Sequence, residues 1–141
     1  MKNIELFDDY TGAILALLYQ SFPVPTALDA RKLSGHGEID EFGRIVDDMG
    51  RPSRSFEIAI STLGWLESAG FISSRQKNQY GHVQVTLTAQ GLQLLNAVPD
   101  ALKSKEPSGE KLVRFIREGS LGLARETVKA VIAAGVSAGL S

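Results

Sequence analysis

The sequence predicts an α+β, mostly helical fold, in which a helical head is closed by one β-hairpin and followed by further helices. Three observations predict it. Apolar residues recur at spacings of three and four along most of the chain. One segment, Val83, Val85 and Leu87, alternates instead, as a half-buried strand does. Glycines, prolines and hydroxyl caps stand at the joints between these segments.

The first helix is expected from about Leu6 to Gln20, where Phe7, Tyr10, Ile14, Leu17 and Leu18 mark one face. Asp8 and Asp9 lie in its first turn, where negative charge suits the helix dipole. Phe22-Pro23-Val24-Pro25 stops it. Thr26, with Asp29 three residues on, reads as the cap of a short helix over Ala27–Leu33, ended by the glycines flanking His36. Ile39, Phe42, Ile45 and Val46 then mark a further helical stretch reaching Asp48, closed by Gly50 and Pro52.

Ser53 caps the next helix, expected over Arg54–Ala69 with Phe56, Ala59, Ile60, Leu63 and Leu66 facing the core. Gly70 ends it. Phe71–Ser74 and His82–Thr88 read as two strands around a polar loop, Arg75–Gly81, which together make a hairpin. Thr88 caps a helix carrying Leu92, Leu94, Leu95 and Val98, closed by Pro99. Two more short helices carry Leu112, Phe115 and Ile116, and then Leu121, Val128, Val131, Ile132 and Val136. The Ala- and Gly-rich tail is expected to fray. The expected division is a head over 1–100, a linker over 101–109 and a C-terminal helical segment over 110–141.

Composition narrows the chemistry. A chain of 141 residues that is 43% hydrophobic and 22% charged supports a packed core rather than disorder. The absence of cysteine excludes disulfides, thiol catalysis and cysteine-ligated metals, and suits a reducing cytoplasm. No apolar run follows the start, so no signal peptide is expected. No stretch reaches the roughly 18 apolar residues of a membrane span, so no membrane partner is expected. Net charge is -1, unlike a strong non-specific nucleic-acid binder. The distribution is uneven: nine acids and four bases over 1–50, three and four over 51–102, four and seven over 103–141.

Two runs carry a resemblance. They are Thr62-Leu63-Gly64-Trp65-Leu66-Glu67-Ser68-Ala69-Gly70-Phe71-Ile72 and Val83-Gln84-Val85-Thr86-Leu87-Thr88-Ala89-Gln90-Gly91-Leu92-Gln93-Leu94-Leu95. Over about residues 6–98 they resemble the winged helix-turn-helix domains of MarR-like and PadR-like bacterial repressors. In those domains a recognition helix runs into a glycine and a strand, a wing hairpin follows, and a Leu-Thr-x-x-Gly segment opens the next helix. The resemblance implies a DNA-binding transcriptional regulator. This sequence departs from that pattern: either about 20 residues intervene between a second helix at Ala27–Leu33 and Arg54, or the stretch near Ile39–Asp48 is the true second helix.

A regulator of that kind reads the major groove with its third helix. Arg51, Arg54, Ser55, Ser61 and Thr62 are the expected contacts on the helix near 54–69, and Arg75, Lys77, Asn78 and His82 those on the wing near 75–82. All of these are equally readable as ordinary surface residues. Ile58, Thr62 and Trp65 form a stripe of another kind. Ile58 and Trp65 suit packing against the stretch near Phe42, or an interface with another protein. The alternative function is therefore a winged-helix interaction module or adaptor subunit. Tyr80 reads as a packing aromatic or a base-stacking one.

Phe115, Val128 and Ile132 are expected at an interface between two copies, because short apolar helices must pack on something. A homodimer is the expected state. No cofactor and no metal are expected, and His36 reads as a plain loop histidine. Glu38, Asp40 and Glu41 read as a solvated acidic face. No Gly-rich loop after a strand, paired-histidine helix motif or nucleophile elbow is present, so an enzyme is not expected.

Overall fold

The computed structural model of the chain describes residues 1–35, 38–47, 49–98 and 105–137. His36, Asp48, Pro99 and the tail from Ala138 lie outside the described residues, as do residues 101–104 of the expected linker.

Helix α1 spans Asn3–Ser21, starting three residues before the expected Leu6. The Glu5 carboxylate accepts the Lys2 N–H at 3.1 Å and fixes this earlier start. Ile14, Leu15 and Leu18 are buried along its length and make it the central helix of the core.

Thr26 does not cap a helix but opens strand β1, Thr26–Asp29. Helix α2 is only Ala30–Ser34, and its cap is Asp29, which accepts the Arg31 N–H at 2.8 Å. The reason lies far along the chain. Leu28 pairs with His82 on strand β5, Gly81–Leu87, and enters the core at 2% exposure. Strand pairing and burial override the local cap signal.

Instead of a helix over Ile39–Asp48 there is a small hairpin, β2 Glu38–Ile39 against β3 Ile45–Val46. Asp40 accepts the backbone N–H groups of Phe42 and Arg44 at 2.9 and 2.8 Å, and Gly43 takes φ 79°. Asp47 repeats the device on Met49 and Arg51 at 2.9 and 3.0 Å, with Gly50 at φ 75°. Two Asp–Gly turns compete with the helix for the backbone and win.

Helix α3 spans Arg54–Ser68, within one residue of expectation, and Ser53 Oγ accepts the Phe56 N–H at 3.2 Å. Ala59, Leu63 and Leu66 are fully buried beneath it. Gly70, at φ 91°, turns the chain into strand β4, Ile72–Asn78, which pairs antiparallel with β5. The expected polar loop is thus mostly strand. Arg75, Lys77 and Asn78 sit in β4, and the turn itself is only Gln79-Tyr80. Asn78 Oδ1 accepts the Tyr80 N–H at 2.8 Å and closes it. The sheet order is β1-β5-β4.

Thr88 caps helix α4, Ala89–Asn96, accepting the Gly91 N–H at 2.9 Å. Its hydroxyl also donates to the Gly70 carbonyl at 2.6 Å, which ties the helix start to the turn after α3. Helices α5, Ser108–Glu118, and α6, Leu121–Ser137, pack on α1 and α4. Ser108 and Gly109, expected in the linker, open α5 and are buried. Leu112, Val128 and Val131 join Ile14 and Leu15 in one core cluster. Val128 therefore has no surface for a partner, since its own chain covers it.

The result is an α+β, mostly helical winged-helix-type arrangement with a hairpin inserted between α2 and α3 and a helical extension. Among the described residues no helix is long and apolar enough to cross a membrane.

Candidate docking face on the third helix and wing

The wing and the outward face of α3 hold nearly all the residues singled out for DNA. Their charges are largely spent inside the chain. Arg51 Nε lies 3.3 Å from Asp47 Oδ2. Arg54 donates from Nε to Asn3 Oδ1 at 2.9 Å and from Nη2 to the Met1 carbonyl at 2.8 Å, so its head lies on the start of α1. Lys77 Nζ lies 2.5 Å from Glu67 Oε2. Exposed pairs of this sort are worth only about 0–1 kcal/mol, so each cation remains extractable. Asp47 beside Arg51 and Glu67 beside Lys77 stay on the same face and cancel the field of their partners, whereas Arg54 is held only by the neutral Asn3 and Met1 groups. Arg75 alone of these four bases has no ion pair or hydrogen bond among the described residues.

The polar contacts fare similarly. Thr62 is 2% exposed, and its hydroxyl donates back to the Ile58 carbonyl at 2.6 Å. Thr62 is thus removed from the expected contacts, because that helix face turns toward α1. Asn78 spends its side-chain oxygen on the wing turn. His82 is 5% exposed, facing the underside of the wing, and cannot reach a groove. Ser61 is exposed and Ser55 half-buried.

Beneath the wing, Glu67 on α3 gathers three partners. It accepts from the Ser74 backbone N–H at 3.2 Å and the Ser74 hydroxyl at 2.7 Å, pairs with Lys77, and lies 3.4 Å from His82 Nε2. Burial works to raise the Glu67 pKa, but the Lys77 and Ser74 bonds outweigh it and hold the carboxyl below its usual range. Burial pushes the His82 pKa down; Glu67 opposes this and Lys77 reinforces it. Folded His82 therefore gives up its proton more readily than His82 of the unfolded chain, which takes it up near the ordinary pKa of about 6.5. Its contribution to stability is full above that value and is lost as pH falls below it. Urea midpoints measured at about pH 7.5 and about pH 5.5 are expected to fall on acidification, and His82→Gln is expected to flatten the fall. An equal fall in both proteins would show that His82 is not buried neutral.

The outward face of α3 also carries apolar residues. Ile4 and Phe7 of α1, Ile58 and Trp65 of α3, and Ile132 of α6 line an open groove of about 800 Å³, together with the polar Asn3, Glu57, Ser61 and Thr62. Trp65 packs edge-on to Phe7 at 5.3 Å between centroids and stacks on Phe71 at 6.2 Å, yet stays 42% exposed. The expected packing of Trp65 against Phe42 does not occur. Phe42 sits at the tip of the inserted hairpin, 73% exposed. Of the residues expected at a protein interface, Ile58, Trp65 and Ile132 converge here. Phe115 is not among them; it is partly buried and packs against the core.

Sequence reasoning missed Ile4 and Phe7 as site residues. Phe7 was legible only as part of the α1 core stripe, and Ile4 lies before the expected start of that helix.

Compared with family models, with curated proteins and with solved structures, the chain gives no match to any of the three.

Proposed function

We propose that this chain is a non-catalytic winged-helix module of the cytoplasm that docks a protein on the outward face of α3. One observation carries the reading. Where a DNA reader presents cations and groove-reaching polar groups, α3 presents the apolar groove of Ile4, Phe7, Ile58, Trp65 and Ile132. An apolar patch with an aromatic at its centre and polar residues at its rim has the anatomy of a protein interface.

The second reading is a DNA-binding regulator, favoured by the winged-helix topology, by the unpaired Arg75 and by the resemblance to MarR-like and PadR-like repressors. Fluorescence anisotropy with generic duplex DNA at low salt separates the two. The docking reading expects no binding up to about 10 µM protein, well beyond the range of a specific reader. Binding that weakens linearly with the logarithm of salt concentration, with a flatter slope in the Arg75→Ala, Lys77→Ala double variant, would restore the DNA reader.

A further inference from the structure

We propose that His82, Glu67 and Lys77 form a proton-driven switch beneath the wing, in which an imidazolium at His82 takes the Glu67 carboxylate and releases the Lys77 ammonium to solvent. The switch does not depend on what the α3 face docks.

Strand β5 is bent to make this cluster. Gln84 has φ 55° and is the one non-glycine residue in the left-handed region among those described. At the bend β1 loses register by one residue: Thr26 faces Val85, but Leu28 faces His82. A regular strand alternates, so burying Val85 would bury Val83 and turn His82 outward. The bulge instead buries both Val85 and His82, three residues apart. Ser74 and Lys77 of β4 are also three apart, and both reach Glu67. Regular alternation would split them between the two faces of the sheet. A strained residue persists only where its surroundings hold it, and here the strain aims an imidazole at a carboxylate.

The imidazole so placed is short of partners. Neither ring nitrogen makes a hydrogen bond among the described residues. Nε2 lies 3.4 Å from Glu67 Oε2, the same oxygen that Lys77 Nζ approaches at 2.5 Å. Glu67 Oε1 is taken by Ser74. One carboxylate oxygen thus stands between two bases. Once protonated, His82 carries an N–H on both nitrogens and a charge that only Glu67 is placed to offset. The imidazolium is buried and cannot turn to water. The Lys77 ammonium sits on a flexible stem with a side chain 60% exposed, so it can. Lys77 is therefore the base that yields.

Other charges leave this exchange alone. Asp29 of β1 and Arg31 of α2 lie at the same end of the sheet, bound to each other at 2.7 Å, and Tyr80 of the wing turn stacks on Arg31 at 4.2 Å. Among the described residues, Glu67 and Lys77 are the charged groups that act on the imidazole, and α1, which also packs on β5, contributes none. Burial outweighs the pull of Glu67 and holds the His82 pKa down, so the exchange falls on the acid side of about 6.5. Acid thereby frees Lys77 two residues from the unpaired Arg75 and makes the wing more cationic.

Nuclear magnetic resonance of the full chain between about pH 7.5 and about pH 5 tests the switch. The His82 ring signals are expected to titrate while the fold is kept. The order parameter of the Lys77 ε-carbon is expected to fall through the same midpoint, as the ammonium comes free. His82→Gln is expected to leave Lys77 ordered over the whole range. Lys77→Met changes an exposed side chain, removes the competing cation, and is expected to move the His82 midpoint to higher pH, since the coupling is reciprocal. A Lys77 order parameter that ignores the His82 titration would overturn the switch. So would a His82 midpoint unmoved in Lys77→Met, or loss of the fold before His82 takes up its proton.

Discussion

Replacing Leu63 with alanine is expected to lower the unfolding free energy by about 2–5 kcal/mol. Leu63 is fully buried on the inner face of α3, within the cluster that includes Ile14, Leu15 and Leu66. Removing its isobutyl group loses the transfer free energy and leaves a cavity. Ile14, Leu15 and Leu66 in the same cluster are themselves fully buried, so the cavity has little freedom to collapse. The loss is a large part of the roughly 5–15 kcal/mol that typically holds a domain together. Urea denaturation followed by far-UV circular dichroism measures it. A loss below about 1 kcal/mol would place Leu63 outside the core and reverse the face of α3 assigned here.

Gly81→Ala is expected to cost about 3 kcal/mol, at the upper end of the usual overpacking range, through backbone rather than side-chain contact. Gly81 opens β5 opposite Asp29, and a Cβ there would collide with the Leu28 carbonyl oxygen and carbon. No rotamer relieves a clash between a Cβ and a main-chain carbonyl. Strand β1 would have to move away, taking with it Leu28, which is core, and the Ala30 N–H bond to the Tyr80 carbonyl at 2.7 Å. Hydrogen exchange resolves where the damage falls. The amide protons of β1 and of the start of α2 should lose protection before those of α1. Unchanged exchange in β1 would mean that β5 accepts a side chain at this position.

Helix α3 is legible in the sequence nearly to the residue. Ser53, Leu63, Leu66 and Gly70 each state a local rule, and the rules agree. The same holds for Thr88 and α4, and for the alternation of β5. These are features set by neighbours a few residues away, so periodicity and capping suffice to find them. Thr26 and Ile39–Val46 were misread because local rules conflict there. Thr26 with Asp29 imitates a capping box, and only the distant β5, by pairing with β1 and burying Leu28, decides for strand. Ile39, Phe42, Ile45 and Val46 imitate a helical stripe, and two aspartates with two glycines decide for turns. The site divides in the same way. The sequence by itself determined that Ile58 and Trp65 stand off the main apolar face of α3, because helical spacing alone implies it. Only the tertiary structure decided that Val128 packs inside its own chain, that His82 and Thr62 are covered, and that Ile4, Phe7 and Ile132 join Trp65 in one groove. Burial and ion pairing depend on which surfaces the fold brings together across long stretches of chain, and no spacing within a single helix encodes that.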